Sequence, residues 1–326
     1  MKKLSQLMTQ ANQPMPWLVK DLILKGDQVM IAAAPKAGKT LLASQLAIAV
    51  AGGDDFLGWE VDHPAKVLYF NLEVNESMFA DRMSKQLVGL PVVPPDDHLL
   101  VESDVRSINI LDPKQRAEIA KTIHDSQAEL VFFDVLARCH AAAENSNSEM
   151  KEVLKELRLV CGNAASVVIH HSRKPPQGQE EANLGAYALR GASAVHGEVD
   201  LVLSLAKRSG QGARYSVKFS ARNIREPEEM FLDLNENTLR FDMSTTVEND
   251  RLAEVLTEAF SMAPRAKVND IQQKVMAAYK VNQRQAQRHL ARAIGEKWIS
   301  EPRRSGTEYW YDVLNRHVIH CFGLAA

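Results

Sequence analysis

Cysteine is scarce in this chain: Cys139, Cys161 and Cys321 are the only three, with no CxxC pair and no metal-ligand spacing. That leaves no disulfide framework or cysteine metal site to expect, only inert thiols in a reducing compartment. Long hydrophobic runs are missing too. The longest apolar stretch, Leu41–Gly53, falls well short of the roughly 20 residues a spanning helix needs. Polar residues rather than an apolar core follow Met1-Lys2-Lys3, so no secretory signal is expected. The chain should be soluble and cytoplasmic, without membrane contact. There is no internal repeat and no low-complexity tract. Nor does either charge sign dominate, with 39 Lys+Arg against 41 Asp+Glu and a net charge of −2. The balance hides an asymmetry, because from Met262 onward 11 basic residues face 5 acidic ones, about +6, leaving about −8 for the rest. An acidic body with a basic tail points to a polyanion contact in the tail.

What the chain does have is 326 residues with 45% hydrophobic content, enough for one large domain and a smaller one. Short apolar runs recur at Gln28–Ala34, Lys66–Leu72, Leu130–Val135, Ser166–His171, Leu201–Leu205 and Arg214–Ser220. Helical patterns at Lys39–Ala51, Glu76–Leu87, Pro113–Ser126 and Asn147–Cys161 separate the earlier ones. Alternation of nearly continuous apolar strands with amphipathic helices predicts an α/β fold, a mainly parallel sheet with helices on both faces. The closely spaced strands from Leu201 onward read as antiparallel additions at one edge. Ala137–Glu149 and Ser172–Val195 read as long functional loops. A polar stretch, Asp242–Asp250, links the body (1–245) to a tail domain (251–326).

The motif with the most chemical content is Ala33-Ala34-Pro35-Lys36-Ala37-Gly38-Lys39-Thr40. An apolar strand enters it and a helix rich in Leu and Ala leaves it, starting with Leu41. Backbone N–H groups and a helix N-terminus in that geometry cradle phosphate. Lys39 then reaches the β- and γ-phosphates of ATP, and the Thr40 hydroxyl ligates Mg²⁺. Ala33 occupies the place of the first Gly in GxxxxGK[ST], a departure small enough for the loop to form. The plainer alternative is a simple strand-to-helix turn.

Three further side chains sit at strand ends. Asp134 closes Leu130-Val131-Phe132-Phe133, where a carboxylate suits a Mg²⁺ site; its alternative is an N-cap for the next turn. Glu73 follows Val67–Leu72 and can polarise an attacking water as general base, or else pair with Arg82 on the surface. His170 and His171 end another strand, and alternation puts them on opposite faces. His170 is the expected γ-phosphate sensor, with a satisfied core histidine as its alternative.

With these residues in order, about Pro16–Asp242 resembles the RepA-like hexameric helicases of plasmids and mobile elements, within the RecA, DnaB and KaiC superfamily. The matching pieces are Ala34–Thr40, Leu68-Tyr69-Phe70-Asn71-Leu72-Glu73, Val131–Asp134, Glu144-Asn145-Ser146-Asn147, His170–Lys174, Arg190–Ala194 and Ala221-Arg222-Asn223. The resemblance implies a RecA-like domain in a ring, with ATP between neighbouring subunits. It also implies that Arg222 is an arginine finger reaching the neighbour's γ-phosphate. DnaB-type relatives carry a lysine two residues earlier; here that place is Ser220, so Lys218 supplies part of the charge or it is missing. Arg173, Lys174 and Arg190 look like channel-loop residues that grip single-stranded DNA, with solvated loop charges as the alternative.

In the tail, helical patterns at Leu252–Ser261, Lys267–Ala278 and Gln283–Glu296 precede a hairpin from Lys297-Trp298-Ile299-Ser300 to Tyr309–Val313. That is the outline of a winged helix. Arg284, Arg288 and Arg292 recur every four residues along one stripe, with Arg303 and Arg304 at the hairpin tip, where duplex DNA could be met. A solvated face or a protein contact is the alternative. The sequence thus leads to an ATP-dependent DNA helicase or translocase serving a plasmid, phage or integrated element. A nucleotide-switched regulator or loader, or a repair or signalling ATPase of KaiC or RadA kind, stays open.

Overall fold

The computed structural model describes residues 3–5, 8, 14–142, 146–172, 197–208, 214–244, 251–260, 265–279, 283–295, 299–305 and 308–312. The chain divides into two compact units, Met1–Ser244 and Thr245–Ala326.

The first unit is built on a nine-stranded sheet. Its central strands are β3 (Gln28–Ala33), β4 (Val67–Asn71), β6 (Leu130–Asp134) and β7 (Ala165–His171), with β5 (Leu99–Glu102) at one edge. β8 (Leu201–Lys207), β9 (Tyr215–Ala221), β10 (Met230–Leu234) and β11 (Phe241–Met243) continue to the other edge, and β1 (Trp17–Val19) and β2 (Ile23–Leu24) form a separate hairpin. The order is β11-β10-β9-β8-β3-β7-β6-β4-β5. Every residue of β3, β4 and β6 is buried, as expected of strands covered on both faces. Alternation sorts their side chains. Val29, Ile31, Tyr69 and Phe132 join the core that holds α1 (Lys39–Gly52), while Met30, Phe70 and Phe133 join the core of α3 (Pro113–Ser126) and α4 (Asn147–Cys161). Phe79 of α2 (Glu76–Leu87) lies on the α1 side. Stacked rings at 5.1 Å (Tyr69–Phe132) and 5.3 Å (Phe70–Phe133) lock β4 to β6 on both faces.

The expected mainly parallel sheet with helices on both faces is therefore present, with one correction. β8 does not add in antiparallel fashion: it runs parallel to β3, and the antiparallel part begins at β9. The connection from β7 to β8 is long enough for the crossover that parallel pairing requires. β1, β2, β5, β10 and β11 carried too few apolar residues to stand out in the sequence.

The second unit contains α5 (Arg251–Phe260), β12 (Arg265–Lys267), α6 (Val268–Tyr279), α7 (Gln283–Gly295), β13 (Arg303–Ser305) and β14 (Glu308–Asp312). Its strands pair in the order β12-β14-β13, and its own core includes Leu256, Phe260, Ile271, Val275, Leu290 and Tyr311. β12 was not anticipated, and the hairpin's first strand lies at β13 rather than around Ile299. No helix among the described residues is long and apolar enough to cross a membrane.

Candidate functional site

The C-terminal ends of β3, β4, β6 and β7 come together beside the N-terminus of α1. From β3 the chain passes through Ala34, Pro35, Lys36 and Ala37 to Gly38, the N-cap of α1. Gly38 has φ 100°, and a Cβ there would stand 2.9 Å from the Phe241 ring, so glycine is required on both counts. Ala37 is buried and Pro35 and Lys36 are exposed, which leaves one side of the loop open. α1 is buried along most of its length, its Leu42 and Leu46 fully so, and this anchors the loop it carries. Truncating such a leucine costs roughly 2–5 kcal/mol.

Lys39 is only 6% exposed. Its Nζ donates to the carbonyls of Ala33 at 3.0 Å and Ala34 at 2.9 Å, which points the ammonium back into the loop. Thr40 follows on the first turn of α1, with Leu41 beside it, packed against the core. Asp134 ends β6 opposite Asn71 and is fully buried. Its Oδ2 accepts from the Tyr69 hydroxyl at 2.7 Å. It caps no helix: the 3-10 turn after it, Leu136–Arg138, starts at Val135 without a side-chain cap. Burial pushes the Asp134 carboxyl up to about 6, against the hydroxyls of Tyr69 and Thr40 and the Lys39 charge, which favour its ionised form, while Glu73 adds to the rise. Burial and the same carboxylate hold Tyr69 well above the usual phenol range.

Lys39, Thr40, Asp134 and Glu73 thus influence one another at one place. Glu73 is exposed, two residues beyond β4. The turn that carries it is built by Asn71, whose Oδ1 accepts from the Val74 N–H at 3.2 Å and whose Nδ2 donates to the Val74 carbonyl at 2.8 Å. Arg82, the alternative partner of Glu73, lies close enough to Tyr69 to favour its ionisation.

A Mg²⁺ site fits these residues. Asp134 Oδ1 is buried without a hydrogen bond, beside the Thr40 hydroxyl, and an oxygen-only donor set is what a hard cation takes. No cluster of three or more His, Cys, Asp or Glu suited to a metal exists among the described residues, in line with an ion that takes its remaining ligands from phosphate and water.

The histidines divide between the two faces. His170 is 1% exposed and in register with Ala32. Val167 and Ile169 belong to the α1-side core and Val168 to the opposite one, so alternation puts His171 on the α1 side and His170 on the α3/α4 side. The Ser172 N–H donates to the Ala33 carbonyl at 2.9 Å, so it is His171 that ends β7 next to the phosphate loop on the α1 side.

Arg222 is not near these groups. Ala221 pairs with Leu201, and Leu201 with Val29, so Arg222 follows β9 at the level where β3 begins. From Gln28 to Ala33 the sheet extends for about 17 Å. No side chain spans that distance, so Arg222 cannot serve the phosphate loop of its own chain. Lys218 stands 3.9 Å from Glu229. Arg303 and Arg304 are exposed on β13. Arg173, Lys174 and Arg190, and the side chains of Arg284, Arg288 and Arg292, lie outside the described residues.

Sequence reasoning missed Tyr69 and Asn71, which orient the acid and shape the turn of the base. The signal was available, since alternation puts both on the face that Glu73 shares.

Fold and site together define a RecA-like P-loop domain: a parallel sheet whose strand tips carry a phosphate loop and, two strands away, a buried acid. The chain belongs to the AAA domain family, whose model matches residues 3–177. No curated protein sequence matches it. Among solved structures, it is similar to an isolated ATPase domain, with TM-score 0.54 and 12% identity over 73% of this chain and 95% of that one. It is also similar to a DnaB-like replicative helicase, with TM-score 0.51 and 13% identity over 67% of this chain and 57% of that one. The expected RecA-like P-loop family, that of replicative-helicase ATPase domains, is thereby borne out.

Proposed function

We propose that this protein hydrolyses ATP within a ring of identical subunits, a hexamer in the simplest form, and uses the energy to move along and separate DNA strands. The observation that carries this reading is the division of labour across the sheet. One end holds Lys39, Thr40, Asp134 and Glu73, and Arg222 stands at the other, about 17 Å away along the strands. A phosphate site that needs Arg222 is therefore completed only by a neighbour, which is the logic of a ring ATPase.

Lys39 and the backbone N–H groups of Ala34 to Leu41 bind the phosphates of ATP. Thr40 and Asp134 hold Mg²⁺, which when bound neutralises charge on the β- and γ-phosphates. Glu73 takes the proton of the attacking water, and Arg222 of the adjacent subunit meets the charge that develops. A γ-phosphate sensor belongs to the His170–His171 pair, and the geometry favours His171. The likeness to a DnaB-like replicative helicase supports strand separation over a switch or loader. The body, 1–245, works as the motor. The tail, 251–326, reads as a winged helix whose basic residues meet duplex DNA, in a cytoplasmic replication protein of a plasmid, phage or mobile element. Single-stranded DNA runs through the ring past Arg173, Lys174 and Arg190.

A strand-displacement assay on a tailed duplex, with ATPase followed with and without single-stranded DNA, tests this. Unwinding with DNA-stimulated hydrolysis is expected. Hydrolysis without unwinding returns the protein to the loader or repair class, and DNA binding with negligible turnover to the switch.

A further inference from the structure

The N-terminal end of the sheet gathers a second charged group that the phosphate chemistry does not touch. Asp200, 9% exposed, stands just before β8. Its Oδ2 accepts from the Gln28 backbone N–H at 2.9 Å and from Arg158 Nη2 at 2.8 Å. Its Oδ1 accepts from Asn223 Nδ2 at 3.3 Å. Arg222 Nη1 stands 3.9 Å from that same Oδ1. Arg222 is held at two other points: its backbone N–H donates to the Asp200 carbonyl at 2.9 Å, and its Nη2 donates to the Gly197 carbonyl. Arg158 Nη2 also donates to the Glu198 carbonyl at 2.8 Å. The segment Gly197–Asp200 is thus tied on one side to Arg158 and on the other to Arg222.

We propose that Asp200 is the positioning residue for Arg222, fixing the direction in which that arginine leaves its own subunit to meet the neighbour's phosphate, with Arg158 and Asn223 holding Asp200 in place. The inference rests on the reading of Arg222 as an arginine that acts in trans. A carboxylate this little exposed is costly unless its oxygens are paired, and three donors pair them here. Those donors make Asp200 a rigid anchor rather than a mobile counter-ion.

The distances set the roles. Arg158 takes the close contact at 2.8 Å, whereas Arg222 keeps a long one at 3.9 Å and remains 48% exposed. Asp200 therefore aims the Arg222 guanidinium without neutralising it, and leaves it accessible to another subunit. An unrestrained arginine carries about 2 kcal/mol of rotamer entropy. Holding it before the reaction moves that cost from the transition state to folding.

Asp200→Asn tests the proposal, because it keeps size and acceptor oxygen while removing the charge. The expected result is a fall in ATPase kcat of about 10–100-fold, the scale set by misplacing a reacting group by about 1 Å. Nucleotide affinity should stay within about twofold, since Asp200 lies at the far end of the sheet from the phosphate loop. Mixed rings with Lys39→Ala subunits should recover activity, because the latter supply a well-held Arg222 to the intact phosphate loops of the former. A merely structural role would not produce recovery in trans. Unchanged kcat overturns the proposal, as does a loss of nucleotide affinity without recovery on mixing.

Arg222→Ala mixed with Lys39→Ala, run in parallel, separates the two layers. If that mixture also fails to recover, the trans arginine itself is wrong. If it recovers and Asp200→Asn does not, only the positioning role falls. Should Asp200→Asn not fold, Arg158→Lys serves instead. It keeps the charge but loses the fork that ties Asp200 to the Glu198 carbonyl, and the same kcat loss with recovery in mixed rings is expected. Unchanged kcat in Arg158→Lys rejects the proposal.

Discussion

The two ends of the central sheet each carry a buried carboxylate, and they treat it in opposite ways. At the C-terminal end Asp134 has one oxygen on Tyr69 and the other buried without a hydrogen bond. At the N-terminal end both oxygens of Asp200 are engaged, by a backbone N–H, an arginine and an asparagine. Burial raises Asp134 to about 6, a carboxyl kept ready for a cation that its own chain does not supply. Asp200 satisfies itself and leaves Arg222 turned outward. One end is therefore built to receive and the other to give, which is what an active site shared between copies requires.

The largest effect that would break this comparison is in Arg222→Ala. Turnover should fall about 10³-fold or more, the usual worth of an arginine finger, with ATP binding to the variant's own loop retained. Steady-state ATPase together with isothermal titration checks it, and a parallel loss of nucleotide affinity would put Arg222 in its own chain's site.

Next comes Glu73→Gln, which should bind ATP normally while hydrolysis drops by about 10²–10⁴-fold. A single-turnover measurement showing more than about a third of the normal rate would remove Glu73 from the base role and leave the receiving end without one.

A smaller and opposite effect concerns stability. The folded-state pKa of Asp134 lies above its ordinary value of 3.8, so the native protein binds a proton more tightly than the unfolded chain does. Native stability should therefore fall as pH rises from about 4 to about 6 and then level off. Asp134→Asn is spared that loss, and the stability gap in its favour should open by about 2–3 kcal/mol between pH 4 and pH 8. Denaturant titration at the two pH values reads it. A gap independent of pH would mean that Asp134 is not held in its neutral form by burial.

The smallest effect lies outside the sheet. Truncation near Asp250 should leave ATP hydrolysis intact while duplex-DNA affinity falls. Each lost duplex contact should flatten the slope of log affinity against log salt by about 0.9. Anisotropy with duplex and single-stranded probes at several salt concentrations measures it. Unchanged duplex affinity and slope would make the tail a docking module for a protein.

Much of this was legible in the chain. The runs at Lys66–Leu72 and Leu130–Val135 announce β4 and β6 because strands covered on both faces must be apolar throughout. Lys39–Ala51 announces α1 because its Leu and Ala content follows a glycine turn. Asp134 stood out as a charged residue closing an apolar strand. The edge strands did not stand out: in β5, Leu100 and Val101 are exposed, so no burial pattern marks it. The direction of β8 was also out of reach, because strand direction depends on a crossover path that leaves no local pattern.

By itself, then, the sequence determined the parallel core, the phosphate loop and the acids at the strand tips, since each follows from local rules of burial, alternation and turn conformation. Tertiary structure alone decided which histidine shares a face with α1, that Tyr69 orients Asp134, and that Arg222 stands beside Asp200 and Arg158 at the far end of the sheet. Gln28, Arg158, Asp200 and Asn223 are scattered through nearly 200 residues of chain. Only strand order and register bring them within hydrogen-bonding distance, and those are long-range pairings that no periodicity in the sequence records.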